Sequence, residues 1–427
     1  MSENRYQAPR GTQDILPGEQ PYWEAVRRAA AGVCARFGYG RIETPVFEDA
    51  GLFTRGVGDV TDIVQKEMYV FEDRGGQELS LRPEGTAPIC RAYLEHGMHN
   101  QPQPVRLFYI APNFRYDRPQ AGRYRQHHQF GAEAIGEAGA SVDAEIIEML
   151  WRTYEELGLT GLTLNLNSIG DQECRPAYLE VLRAYYADKL DPSLPQGERV
   201  CDDCRARYDR NPLRLLDCKQ ERCQPIIAGA PAMADHLCEA CAAHFADLRS
   251  YLDAAGIPAT LNPRLVRGLD YYTRTVFEVE PAEERSQSSI GGGGRYDGLI
   301  ELLGGPPTPG TGFGTGIERI IINMKRQEAP VAEAEGVRVY VAMQTAEARV
   351  AAFRLASELR RAGVAATAGA TGRSLKSQMR QAGALGAEYA AIIGERELRE
   401  GSVTLKRLAD GEQEVVAVGD VAGRVGA

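Results

Sequence analysis

The sequence predicts an α+β protein: a largely antiparallel sheet interrupted by a helical insertion, followed by a small α/β domain. Three observations carry this. Strand-like runs at 78–82, 105–115, 127–135, 162–166, 276–279 and 310–316 have few helical patterns between them, which favours antiparallel neighbours over βαβ alternation. From about residue 171 to about 258 the pattern turns helical, and six of the nine cysteines crowd into that stretch. Beyond 337 strands and helices alternate, as in a mostly parallel sheet, followed by a hairpin-like pair around 402–407 and 414–418. The expected domains are 1–170 with 259–325, an inserted 171–258, a linker 326–336 and a terminal 337–427.

Composition sets the outer bounds. At 427 residues the chain exceeds one ordinary core, and two or three domains are expected. With 43% hydrophobic and 25% charged residues it has an ordinary globular make-up, while its 46 glycines exceed the roughly 30 that average usage gives. A net charge of −10 excludes an indiscriminate nucleic-acid binder and confines any RNA contact to local basic sites, with no DNA partner. The start, MSENRYQAPRG, lacks the apolar stretch of a signal peptide, and no run of about 18 apolar residues occurs. A cytoplasmic protein with no membrane partner is expected.

Along the chain, Val26, Ala30, Val33, Cys34 and Phe37 recur at helical spacing over 20–37, and Gly38 ends that helix. Pro45 within 41–47 marks an edge strand or a strand start. Leu81-Arg82-Pro83-Glu84-Gly85-Thr86 closes a strand with a carboxylate and a hydroxyl flanking a glycine, a pair able to hold an ammonium group; a plain turn is the simpler reading. Residues 114–133, FRYDRPQAGRYRQHHQFGAE, set Arg115, Arg118, Arg123 and Arg125 around a hairpin turn. Guanidinium forks match phosphate oxygens, so the tip suits a nucleoside triphosphate, an RNA backbone or both in turn; alone it would read as a solvated turn.

In the insertion, Cys201-x-x-Cys204 and Cys238-x-x-Cys241 are thiolate pairs of the kind that bind zinc tetrahedrally. The 33-residue gap between them exceeds usual ribbon spacing, and Cys218 and Cys223 offer competing sets, so structural zinc stands against free thiols. Residues 265–275 open a strand with Arg267 and adjacent tyrosines, Tyr271 and Tyr272, which project to opposite faces. Residues 291–297, GGGGRYD, are too glycine-rich for a stable strand interior, so close approach to their backbone is expected; no lysine follows as a P-loop requires. Residues 312–319 run from a glycine-rich strand into a helix bearing Arg319, whose N-terminal amides suit an anion. The polar stretch RQEAPVAEAEG reads as a linker, and GRSLKSQMR beyond it carries Arg373, Lys376 and Arg380.

These segments resemble the class II aminoacyl-tRNA synthetases and, within them, the histidyl-tRNA synthetase family. RGTQDILP at 10–17, Pro45 within 38–49 as motif 1, 114–133 as motif 2 and 312–319 as motif 3 carry the class resemblance. LRPEGT with RGLDYY, and the block 288–298, carry the resemblance to the histidine family. It implies ATP, Mg2+, L-histidine and the histidine tRNA as ligands, a histidyl-adenylate intermediate, and a homodimer joined through motif 1. By this resemblance Glu84, Gly85, Thr86, Gln129, Glu133, Arg267, Tyr271 and Tyr272 hold histidine, with Glu133 and Tyr272 as acceptor and donor for the ring nitrogens. Arg115, Asp117, Arg123, His127 and Arg319 serve ATP, Arg123 being available to the tRNA end as well, and Arg115, Arg267 and Arg319 form the catalytic set. Residues 337–427 resemble an anticodon-binding domain. Asp117 stands where a glutamate is usual and His127 where a phenylalanine is common, so altered ATP affinity without loss of activity is expected. A catalytically silent histidine-sensing subunit and a plain tRNA-binding module are the alternatives; retention of the pocket residues and of the terminal domain argues against both.

Overall fold

The computed structural model describes residues 6–58, 61, 63–120, 122–195, 197–281, 289–332, 336–370 and 372–426. Ser288 of the 288–298 block, Ala121 of the hairpin tip, residues 333–335 of the expected linker and the first five residues lie outside these. The chain divides into two compact units, 1–332 and 333–427.

Strands in the first unit are β1 (Gly40–Arg41), β2 (Phe47–Asp49), β3 (Tyr69–Glu72), β4 (Glu78–Leu81), β5 (Val105–Phe114), β6 (Gln126–Ile135), β7 (Leu162–Ser168), β8 (Ala259–Leu261), β9 (Thr273–Pro281), β10 (Gly291–Arg295) and β11 (Gly310–Gly316). Eight of them form one sheet in the order β1-β5-β6-β11-β10-β9-β7-β8, antiparallel except at its two ends. β2, β4 and β3 make a separate three-stranded sheet.

Alternation along the central strands separates two faces. On β6, Phe130, Ala132 and Ala134 join the core under the helices Gln20–Arg36, Ala140–Glu156 and Ile317–Arg326, together with Trp23, Ile147, Phe313 and Ile320. Gln129, Gly131 and Glu133, the intervening residues, take the other face. The first of those helices buries Trp23, Val26, Ala30 and Val33 at helical spacing and ends at Gly38, whose φ of +76° suits a residue without a side chain.

β10 corrects one expectation. Its glycines form a fully paired interior strand, bonded to β9 and β11, because the close approach comes from the neighbouring strands themselves. A Cβ on Gly293 would lie 1.9 Å from the carbonyl oxygen of Gly312. Arg295 anchors the strand: it is fully buried and donates to Asp143, Asp297 and the carbonyls of Glu137 and Gly139.

Residues 171–258 fold within the first unit as two long helices, Arg175–Ala187 and Glu239–Ala254, with helical pieces of three to six residues between them. Tyr178, Leu182 and Tyr186 share one continuous core with Ile135, Tyr271 and Tyr296. The expected linker is partly docked: Ala329 is buried in the first unit's core, and Gln327 accepts from the Thr160 amide.

The second unit contains β12 (Val339–Met343), β13 (Ala366–Ala368), β14 (Tyr389–Ile393), β15 (Ser402–Arg407) and β16 (Gln413–Ala417) in the order β13-β12-β14-β15-β16. The sheet is parallel across β13-β12-β14; the expected hairpin forms as β15 and β16, but β15 pairs antiparallel with β14, so the sheet is mixed rather than mostly parallel. No helix among the described residues is long and apolar enough to cross a membrane.

Candidate active site

The exposed face of the central sheet carries two adjoining cavities. The larger, of about 480 Å³, is lined by Asp117, Arg123, His127, Glu278 and Arg319, and also by Arg214 and Asp217 of the insertion. The smaller, of about 140 Å³, is lined by Glu84, Thr86, Tyr271, Tyr272 and Tyr296. Arg115, Gln129 and Arg267 line both, so these residues form their common wall.

Glycines in β11 open the smaller cavity. Gly312 pairs with Glu133 and Gly316 with Gln129 across β6, and the long side chains of β6 lie over the bare backbone of β11. A Cβ on Gly312 would come 1.8 Å from Glu133 Oε2, and one on Gly314 would come 1.8 Å from Gln129 Nε2. Gly312→Ala is therefore expected to cost about 1–3 kcal/mol in stability by overpacking and to displace the Glu133 carboxylate. Denaturant unfolding of this variant beside the parent checks it, and an unchanged midpoint would contradict the packing described.

Glu133 lies behind the cavity wall and accepts from Thr86 Oγ1 at 2.8 Å and from Tyr296 Oη at 2.6 Å. Burial pushes its carboxyl up to about 8. Glu84 is raised by burial too, and its two oxygens accept from the amides of Thr86 and Ala87, which fixes the start of the helix Thr86–Glu95. Gly85 sits against the ring of Tyr109, 2.4 Å from where a Cβ would stand. Burial also raises Tyr271 and Tyr272, which therefore remain hydrogen-bond donors.

The arginines are held differently. Arg115 donates from Nε to the carbonyl of Pro83. Arg267 pairs through Nη1 with Glu278, and its Nε is buried without a protein partner. Arg319 donates to the carbonyls of Gly122 and Ser289, joining the hairpin tip to the segment before β10. Asp117 pairs with Arg123 at 2.9 Å within the hairpin. Burial, followed by the charge of Arg115, lowers His127 to about 3, so its imidazole is neutral. Glu318 takes the amide and Nδ1 of His128.

Sequence reasoning missed Arg214, Asp217, Glu278, Glu318 and Tyr296 as site residues. The pattern LRLLDC around the first two resembles an amphipathic turn, and only the tertiary fold brings it to the cleft. The expected metal set is corrected. Cys201 and Cys204 meet Cys218 and Cys223, whereas Cys238 and Cys241 meet Cys174 and Asp171, so the two C-x-x-C pairs do not share a site.

An antiparallel sheet roofed by helices on one face and by arginine-lined cavities on the other defines the catalytic unit of a class II aminoacyl-tRNA synthetase. Residues 11–320 match the family model described as histidyl-tRNA synthetase, and 337–427 match the anticodon binding domain. The chain belongs to the histidyl-tRNA synthetase family. A histidine–tRNA ligase of Dehalococcoides mccartyi is 57% identical over 96% of this chain and 97% of its own length. One from Pelotomaculum thermopropionicum is 50% identical over 97% and 96%. The crystal structure of apo histidyl-tRNA synthetase from S. aureus superposes with a TM-score of 0.81 at 36% identity, covering 99% of this chain and 100% of that one.

Proposed function

We propose that this chain ligates L-histidine to the histidine tRNA in two steps through a histidyl-adenylate. The observation that carries this reading is the shared wall: Arg115 and Arg267 border both the small polar pocket and the large cleft. An amino-acid carboxylate and an α-phosphate must meet at such a junction. Histidine occupies the small pocket, with Glu133 accepting from one ring nitrogen, Tyr272 donating to the other, and Gln129, Glu84 and Thr86 around the α-amino group. ATP occupies the large cleft beside His127 and Arg319, with Arg123 and Asp117 at the hairpin tip.

A carboxylate oxygen of histidine attacks the α-phosphorus, the bond to the bridging oxygen breaks, and pyrophosphate leaves. A ribose hydroxyl of the tRNA's terminal adenosine then attacks the acyl carbon and AMP leaves. No side-chain nucleophile is required, so the protein's task is positioning and neutralising charge. Mg2+ accompanies ATP as its counter-ion, mainly on the nucleotide's own oxygens. Among the carboxylates on the cleft wall, Asp117 and Glu278 are already paired with Arg123 and Arg267. The terminal unit, 337–427, serves the anticodon. A homodimer through 38–49 is supported by the exposed apolar side chains Phe47, Val70 and Phe71 on the three-stranded sheet and Val46 beside it.

Histidine-dependent exchange of labelled pyrophosphate into ATP, followed by charging of the histidine tRNA, tests this function. Histidine binding without exchange would favour the silent, sensing subunit instead.

The Glu133 assignment has a pH signature. Burial raises its pKa to about 8, and a ring N–H donated to it favours the ionised form. A neutral histidine ring, whose own pKa is about 6.5, should therefore bind with release of a proton at pH 7. Affinity should rise between about pH 7 and about pH 8 and level off above that. Calorimetry in buffers of unequal ionisation heat reads the released proton, and Glu133→Gln should release only the small fraction that the ligand's own ring gives up. Wild-type binding at pH 7 with no more proton release than that variant would remove Glu133 from this role.

A further inference from the structure

We propose that Cys201, Cys204, Cys218 and Cys223 hold a structural zinc ion that fixes one wall of the active-site cleft. All four are buried, and their sulfurs lie within 4.8 Å of one another. The Cys201 and Cys218 sulfurs are 3.6 Å apart. A disulfide needs about 2.05 Å, whereas zinc with four sulfurs at about 2.3 Å places them about 3.8 Å apart. The backbone already supports this geometry: the amide of Cys204 donates to Cys201 Sγ at 3.4 Å, and the amide of Cys201 donates to Cys223 Sγ at 3.2 Å. Amide donors to the sulfurs orient thiolates and spread their charge, the part that outer partners take at metal sites.

The four sulfurs sit where short segments of the insertion converge on the shared core. The described pieces between 202 and 236 are helical turns of three to six residues, whose Leu215, Leu216, Ile226 and Ile227 pack into the core shared with Tyr178 and Tyr186. The loop between Cys204 and Cys218 carries Arg214 and Asp217 to the large cleft, and Asn211 to Asp270 at 2.7 Å. A metal at the base of that loop would set the position of this wall.

The second group, Cys174, Cys238, Cys241 and Asp171, is of a different kind. Both Asp171 oxygens are engaged, one by Arg274 and the other by the Glu173 amide and the Cys174 thiol. No metal is assigned there.

The test uses the full chain, expressed in zinc-supplemented medium and purified without chelator. Metal analysis of the wild type should give one zinc per chain. Cys218→Ser with Cys223→Ser should lose that equivalent, and Cys238→Ser with Cys241→Ser should keep it. A zinc-free wild type, or loss confined to the Cys238 and Cys241 variant, overturns the proposal. Should the first double variant fail to fold, alkylation mapping of the wild type decides. Cys201, Cys204, Cys218 and Cys223 should become reactive together when a chelator strips the metal, and labelling unaffected by the chelator overturns the assignment.

Discussion

Replacing Arg267 with alanine is expected to lower histidine-dependent pyrophosphate exchange by at least roughly 10²–10³-fold, the range for losing one preorganised charged donor at a reacting centre. Arg267 stands on the wall common to both cavities, and its buried Nε has no protein partner. Its removal takes a guanidinium from the junction and also releases Glu278, leaving an unpaired carboxylate on the wall of the large cleft proposed to hold ATP. The two effects act in the same direction. Arg267→Lys keeps the charge but not the planar fork, and should recover only part of the activity. Because the side chain is 20% exposed and paired at the cleft surface, the fold should survive, which circular dichroism checks. Near-normal exchange by a folded Arg267→Ala protein would refute the role given to it.

The largest expected loss of stability comes from Asp143→Ala, about 3–5 kcal/mol for the first unit. Both members of the Asp143–Arg295 pair are fully buried, and their bidentate contact has a 2.8 Å bond. Asp143 also accepts from Thr275 Oγ1 at 2.6 Å. Removing the carboxylate leaves a guanidinium in the interior with Asp297 and two carbonyls as its remaining partners. That pair ties the helix Ala140–Glu156 to β10, so the glycine strand lining the cleft should loosen as stability falls. Urea unfolding measures the loss, and a change below about 1 kcal/mol would show that the pair does not anchor β10.

Much of the strand set is legible in the sequence because apolar alternation marks the edges of the pleat. The runs near 105–115, 127–135 and 310–316 fall on β5, β6 and β11 within a residue. β10 is not legible, since four glycines carry no pattern; their side chains are absent so that strands and the Arg267 side chain can lie against them. The arginines and tyrosines of the pocket can be picked out by type and local turn chemistry. Arg214 and Asp217 cannot, because only tertiary folding brings the insertion to the cleft. The cysteines show the same limit. Spacing identifies C-x-x-C pairs, but which sulfurs meet depends on how Arg175–Ala187 and Glu239–Ala254 pack, and that geometry separates Cys238 and Cys241 from Cys201 and Cys204.

The most direct measurement is a crystal structure of the full chain with ATP and histidinol, whose alcohol in place of the carboxylate prevents adenylate formation and lets both ligands persist. The imidazole should lie in the small cavity with one ring nitrogen in hydrogen-bond reach of Glu133, and the α-phosphate should lie against Arg115. A triphosphate bound away from Arg115, or a ring directed away from Glu133, would contradict the account.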